Sequence, residues 1–151
     1  MLKYALGSPA TMSLVVTFTN IAQESQIKGV IFHCSRRELD KAEINYKLAQ
    51  ETADASGQLW LQAHVGNSIA RLRLLQGRPA EARRLLQSFE SVWKGTKNYG
   101  KYLYLFGRAE ADLGNYGDAE QTYRNALQSL KSFGLSSIEA LTRDRLAQLL
   151  M

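Results

Sequence analysis

The sequence holds very few of the residues from which most metal and redox sites are built. Among its 151 residues are one cysteine, Cys34, and two histidines, His33 and His64. A single cysteine excludes a disulfide within the chain and suits a reducing compartment, so a cytoplasmic protein is expected. A zinc site would have to combine cysteine and histidine with carboxylates at no recognisable spacing. We therefore expect neither a metal nor another cofactor.

Sequence motifs of enzyme chemistry are also missing. The chain contains no glycine-rich phosphate loop, nucleophile elbow, HExxH or CxxC motif. His33 and Cys34 are adjacent, and adjacent residues on a helix point about a hundred degrees apart, so they do not form a nucleophile and its base. These absences argue against a catalytic function.

No stretch of the sequence is apolar over a membrane-spanning length, and no membrane partner is expected. Lys3 followed by the apolar residues 4–18 allows a competing interpretation as a secretory signal. A glycine, a serine and a proline interrupt that stretch, and no small-residue cleavage site follows it cleanly. We therefore interpret Pro9 as the first-turn residue of a helix that continues to Ile21, with residues 1–8 as a loose terminus.

Composition and charge are those of an ordinary soluble domain. The chain is 45% hydrophobic and 22% charged, which with its length suffices for one domain with a continuous core. Lys and Arg number 19 against 14 Asp and Glu, for a net charge of +5. The excess favours an acidic partner. Solubility alone is the stronger explanation, because the basic residues are scattered along every segment.

The strongest pattern in the chain is a pair of apolar stripes that predicts a helical hairpin. Between the stripes, Gly114 can take the positive φ that ends a helix, and Asn115 can cap the next one. Small residues, Gly107 and Ala111 among them, occur where two helices joined so tightly press closest together. The stripe residues recur at three- and four-residue steps; they are Leu103, Phe106, Ala109, Leu113, Ala119, Tyr123 and Ala126.

The same design occurs upstream. Gly77 and Pro79 place a helix end directly before a helix start. Ala82 lies as far after that turn as Ala119 lies after the later one, and Ala42 repeats the second half of the pattern once more. These three alanines are therefore predicted to be equivalent positions of a repeat.

Helices are predicted over the rest of the chain as well. The β-branched run that begins at Val15 locally favours a strand, but a lone strand would have no partner. Gly57, the loop 94–98 and Gly134 separate the helices, and residues 136–139 match a capping box that opens the last one. The predicted helices cover residues 9–21, 21–34, 38–53, 59–76, 79–93, 100–113, 116–133 and 136–150.

The order Leu103…Phe106-Gly107, followed by Ala119-x-x-x-Tyr123-x-x-Ala126, resembles the tetratricopeptide repeat over about residues 22–131. The resemblance implies an all-α fold, a right-handed superhelix of stacked antiparallel hairpins in a single domain, 1–151. About three repeats (22–54, 58–94 and 99–133) would be followed by a capping helix at 136–150. Glu110 and Arg73 depart from the family by standing where it prefers Tyr. The longer repeats resemble those of bacterial regulatory proteins and signalling adaptors.

The resemblance also implies a function: a non-catalytic scaffold that binds a peptide or helix of another protein in its concave groove. Cations, an amide and a phenol on one wall can hydrogen-bond a backbone and attract carboxylates, so an acidic segment would suit them. For each residue singly, a solvated helix face is the plainer interpretation. The groove residues carried over from the family are His64, Asn67, Arg71, Lys101, Tyr104 and Arg108.

Two alternative functions stay open. The chain could be a self-associating regulatory domain of a signalling or transcription-control system, a homo-oligomer formed through Val15–Ile21 or through the helix 136–150. It could also bind nucleic acid through Arg71, Arg73, Arg83, Arg84 and Arg108. No basic stripe or aromatic binding motif supports the second alternative, so nucleic acid is not the expected partner.

Overall fold

The computed structural model of the protein describes residues 9–31 and 36–151. All secondary structure in these two ranges is helical, as the sequence predicted. The predictions for the terminus 1–8 and for His33 and Cys34 lie outside the described residues. In chain order, the helices of the described ranges are α1 (Pro9–Ile31), α2 (Arg36–Ser56), α3 (Leu59–Leu75), α4 (Pro79–Gln87), α5 (Glu90–Trp93), α6 (Tyr99–Asp112), α7 (Tyr116–Phe133) and α8 (Ser136–Leu150).

Residues 1–69 form the first of two compact units, and residues 70–151 form the second. In the first unit α1 packs along α2, as predicted for the helix beginning near Glu38. Val15 and Ala22 are fully buried on α1. The buried residues of α2 follow the predicted three- and four-residue steps and are Ala42, Tyr46, Ala49 and Ala53.

The helix α1 is continuous where the sequence predicted two helices. The predicted boundary at Ile21 is wrong, because the helix runs on to Ile31. Residues 10–28 include no glycine or proline, so nothing in that stretch interrupts the backbone hydrogen-bond ladder. The β-branched run is helical as well, and the hydroxyl of Thr19 donates to the carbonyl of Val15 at 2.7 Å.

Two turns of the second unit have the same backbone geometry at equivalent positions. Gly77 and Gly114 both have a positive φ, 71° and 83°. In each turn the residue after the glycine donates its N–H to the carbonyl five residues earlier, at 2.8 Å after Gly77 and 2.9 Å after Gly114. This is the Schellman arrangement that ends a helix. Ala82 and Ala119, equally far beyond their turns, are both fully buried.

The helix predicted from Pro79 to Trp93 is broken into α4 and α5. At the break, the hydroxyl of Ser88 donates to the carbonyl of Leu85 at 2.6 Å, a local bond of the kind that competes with the helical ladder. The N–H of Phe89 then bonds at 3.0 Å to the carbonyl three residues earlier instead of four. The loop predicted at 94–98 follows and is confirmed.

The helices α6 and α7 form the predicted hairpin and are packed unusually close. A Cβ atom placed on Gly107 would lie 2.7 Å from Cε1 of Tyr123. One placed on Gly100 would lie 2.6 Å from Cγ of Leu130. Both distances are shorter than a van der Waals contact, so the hairpin depends on glycine at these two positions of α6.

The last helix packs on α7 and α6. Leu146 of α8 joins the apolar cluster of Ala119 and Tyr123. Leu141 and Leu150 of the same helix are exposed. The predicted terminal helix therefore covers the α6–α7 hairpin with one face and leaves other leucines open.

The side-chain caps predicted for α7 and α8 are not formed. Asn115 occupies the N-cap position of α7 but makes no side-chain cap hydrogen bond. At α8 the N-cap is Leu135, so Ser136 lies one residue too far into the helix to close the predicted capping box. The carboxylate of Glu139 instead accepts a hydrogen bond from Arg143 at 2.6 Å.

We expect Gly107→Ala to destabilise the second unit relative to Gly117→Ala. Both glycines are helical, so helix propensity favours alanine at both positions, but only the first substitution forces a methyl group into the Tyr123 ring. Overpacking of this kind costs about 1–3 kcal/mol. Urea denaturation of the two variants measures the difference. Equal unfolding free energies would show that the hairpin has room at Gly107.

Candidate binding site

Three of the six predicted groove residues lie along one face of α6. Lys101, Tyr104 and Arg108 are separated by three and four residues, a spacing that places side chains on one face of a helix. All three are partly exposed and alternate with the buried residues of that helix. The helix therefore presents two cations and a phenol along one side.

Arg71 lies close enough to Lys101 for their charges to interact. Burial lowers the pKa of the Lys101 amino group, and the positive charge of Arg71 lowers it further. Neither side chain forms an ion pair with another residue in the part of the chain that the structure describes. Two like charges held together without a counter-charge favour the binding of an anion.

Tyr104 takes part in packing as well as in the exposed face. Its ring lies 6.4 Å from the ring of Tyr123, centroid to centroid, at an interplanar angle of 41°. It borders the apolar cluster that Tyr123 forms with Ala119 and Leu146. Its side chain is thereby held in place at the edge of the cluster.

Arg108 leads from this face into a cavity of about 330 Å³ between α6, α7 and α8. The Nε atom of Arg108 is buried and has no hydrogen-bond partner among the described residues. Arg145 of α8 brings a second guanidinium to the cavity, and Asp112 brings one carboxylate. The full lining is Arg108, Ala111, Asp112, Tyr116, Tyr123, Arg145, Gln148 and Leu149.

The pKa of the Tyr123 phenol depends on its burial and on the charges around this cavity. Burial raises the pKa of Tyr123 to about 12, against the opposing effect of Arg145 and, more weakly, of Arg108. The charge of Asp112 raises it slightly. At neutral pH the phenol therefore remains protonated and can donate a hydrogen bond. The cavity combines two guanidiniums, two phenols and a single acid, so its net charge is positive.

The two remaining predicted groove residues lie in the first unit, on the N-terminal part of α3. His64 is exposed. Asn67 is 8% exposed, and its Oδ1 atom accepts no hydrogen bond from the described residues. An amide oxygen buried without a donor is costly, so Asn67 is a notable buried polar group of α3. The assignment of both residues to a groove stays a prediction.

Arg145 and Asp112 were not predicted from the sequence. A helical periodicity identifies residues on one face of one helix, and these two side chains reach the cavity from different helices. A signal was present in α8, where Arg145 and Gln148 directly precede the apolar residues Leu146 and Leu149 and thus flank its packing face. That spacing places them at the border between α8 and the hairpin it covers.

Within residues 9–31 and 36–151, no group of three or more His, Cys, Asp and Glu side chains is arranged to hold a metal ion. The same ranges contain no helix with the length and apolar character needed to cross a membrane.

No family model, curated protein or solved structure matches the chain. Any function must accordingly be inferred from the geometry and charge of its own residues.

We expect Arg71→Ala to raise the pKa of Lys101 without restoring its ordinary value. The substitution removes the neighbouring positive charge, which is the smaller cause of the lowered pKa, and leaves burial, the larger cause, in place. Titration of the lysine Nζ resonances by NMR measures the shift. Arg124→Ala is the matched control, because Arg124 pairs with Glu120 on α7. An unchanged Lys101 titration in Arg71→Ala would refute the proximity of the two cations.

Proposed function

We propose that the protein is a non-catalytic interaction scaffold of the tetratricopeptide type that binds an acidic segment of a partner protein. The observation that carries the proposal is the set of cations Arg71, Lys101 and Arg108, which have no ion-pair partner in the described part of the chain. The like charges of these side chains repel one another, which costs free energy until an anion binds. A binding role therefore accounts for their being held together.

The repeated turn geometry supports the repeat part of the proposal. The turns at Gly77 and Gly114 share their φ and their hydrogen bonds, and both are followed by a fully buried alanine. Arg71 and Arg108 precede these turns by the same number of residues. In a stack of hairpins, residues at equivalent positions lie on the same wall. An extended segment of the partner could then bind both guanidiniums. The proposed location for this binding is the cytoplasm.

We expect the double variant Arg71→Ala/Arg108→Ala to lose its partner while remaining folded. Substitutions at partly exposed positions usually change stability by less than about 0.5 kcal/mol. Loss of a charge-assisted hydrogen bond costs binding about 1.5–3 kcal/mol each. The measurement is a quantitative pull-down from source lysate, with captured proteins identified by mass spectrometry.

The matched control is Arg124→Ala/Arg143→Ala, which removes two arginines that pair with acids on their own helices. It changes the net charge equally and leaves α3 and α6 untouched. Proteins captured by wild type and control but not by the test variant would identify the partner. Equal capture by all three forms would show that partners do not bind at the surface formed by Arg71, Lys101 and Arg108, the cation face.

Self-association is a second candidate function, favoured by the apolar side chains that α1 exposes. Met12, Val16 and Ile21 are each about two-fifths exposed: 42%, 43% and 38%. Met12 and Val16 are four residues apart and share one face of the helix that also buries Val15, whereas Ile21 lies on another side. A second copy of the chain could cover the Met12–Val16 face, because exposed apolar patches mark protein–protein contacts.

Sedimentation equilibrium over a range of concentrations tests this candidate. If α1 forms the contact, the wild type associates and Val16→Glu is monomeric, since a charge would be buried in the interface. Thr17→Glu, at an exposed position of the same helix about a hundred degrees around from Val16, should associate as the wild type does. A wild-type chain that stays monomeric at every concentration removes the candidate.

A further inference from the structure

A second cavity of the second unit lies between α4 and the turn that joins α6 to α7. Its volume is about 430 Å³, and it shares no residue with the cavity between α6, α7 and α8. No carboxylate is among the residues that line it. The lining residues are Ala80, Arg83, Arg84, Gln87, Leu113 and Asn115.

Arg83 is held in place at this cavity by an aromatic ring. Its guanidinium carbon lies 5.8 Å from the centre of the Phe106 ring, a cation–π contact between α4 and α6. The Nε atom of Arg83 is buried and donates no hydrogen bond to a described residue. A guanidinium fixed in orientation loses little conformational entropy when it binds a ligand.

The charge of Arg83 interacts with that of Glu110, an acid that has a hydrogen-bond partner of its own. The carboxylate of Glu110 accepts a hydrogen bond from Thr122 at 2.6 Å. Burial raises the pKa of Glu110, the Thr122 hydrogen bond opposes the rise, the charge of Asp118 adds to it, and Arg83 opposes it only weakly. Arg83 and Glu110 do not form an ion pair within the described ranges. The positive charge of Arg83 is therefore still available at the cavity.

Three further donors surround the cavity. Arg84 is exposed and has no ion-pair partner among the described residues, and Gln87 lies one helical turn beyond Arg83. Asn115 occupies the N-cap of α7, yet its side chain makes no capping hydrogen bond and lines the cavity instead. Two guanidiniums and two amides thus meet around one opening that contains no acid.

We propose that this cavity binds a phosphate monoester. A monoester carries about −1.5 to −2 charges at neutral pH and three terminal oxygens, all strong acceptors. That charge balances the two guanidiniums, and the three oxygens match the arginine and amide donors. A carboxylate or a phosphodiester carries a single negative charge and would leave one arginine uncompensated. The inference rests on residues outside the cation face and stands independently of the proposed scaffold function.

NMR titration of the full chain tests the proposal, with phenyl phosphate as the monoester, dimethyl phosphate as the diester and acetate as the carboxylate. The readout is the set of arginine Nε–H and Asn and Gln side-chain amide resonances. We expect saturable shifts with phenyl phosphate at pH 7.5 and weaker binding as the pH falls below about 6, where the monoester loses its second charge. Dimethyl phosphate and acetate should bind at least about tenfold more weakly, the equivalent of 1.4 kcal/mol.

The variant Arg84→Gln should lower the affinity for phenyl phosphate at least about tenfold, and the exposed position of Arg84 leaves the fold intact. Arg83→Gln should do the same, with circular dichroism as the check on folding. Arg124→Gln, which removes an exposed arginine of α7, should bind as the wild type does. Equal binding of the diester or of acetate, or unchanged binding in Arg84→Gln, would overturn the proposal.

Two further probes distinguish the source of the monoester. N-acetyl-phosphoserine methylamide represents a phosphorylated side chain, and ribose 5-phosphate represents a small metabolite. Either one binding more tightly than phenyl phosphate supports the site and identifies which kind of molecule carries the phosphate. Failure of phenyl phosphate and both of these probes to shift the arginine resonances would overturn the proposal.

Discussion

The close approach of α6 to α7 at Gly107 is the contact on which the second unit depends. Because Gly107 has no side chain, the ring of Tyr123 lies directly against the α6 backbone. From that position the same ring contacts Tyr104, forms the apolar cluster with Leu146 of α8, and borders the cavity that Arg108 enters. One aromatic residue thereby joins three helices and supports the candidate binding site.

The close packing of α6 against α7 also buries a polar side chain, Glu110. Glu110 is only 4% exposed, and the hairpin provides a partner for it in Thr122 of α7. A hydrogen-bonded carboxyl in the interior fixes the relative position of two helices more narrowly than an apolar contact would, because a hydrogen bond is directional.

Most of the helices could be read from the sequence because glycine fixes their ends. The bounds of α7 were predicted to the residue, and those of α6 within one residue, since Gly114 and Gly134 have the positive φ expected of them. The errors lie at α1 and at Ser88. The helix continues past Ile21 because no glycine or proline interrupts it there, and the unpredicted break at Ser88 coincides with a hydrogen bond from its hydroxyl to the carbonyl of Leu85. The superhelical arrangement depends on contacts between hairpins and stays a proposal.

The binding site was predictable only where it lies on a single helix. The spacing of Lys101, Tyr104 and Arg108 already places them on one face. By contrast, the placement of Arg145 and the cavity between α4 and the α6–α7 turn depend on which helices pack together. Tertiary contacts decide that packing. Asn115 shows the limit most directly. It occupies the predicted N-cap position of α7, but it makes no side-chain cap hydrogen bond and lines a cavity.

The short turns at Gly77, Gly114 and Gly134 also have a consequence for how fast the chain folds. Each of them joins helices that follow one another along the chain, and α6, α7 and α8 pack mainly on their sequence neighbours. Little loop-closure entropy is lost in bringing such neighbours together, and proteins rich in local contacts fold in microseconds to milliseconds. The glycines that end the helices thus also keep the second unit free of the slow search that distant pairings impose.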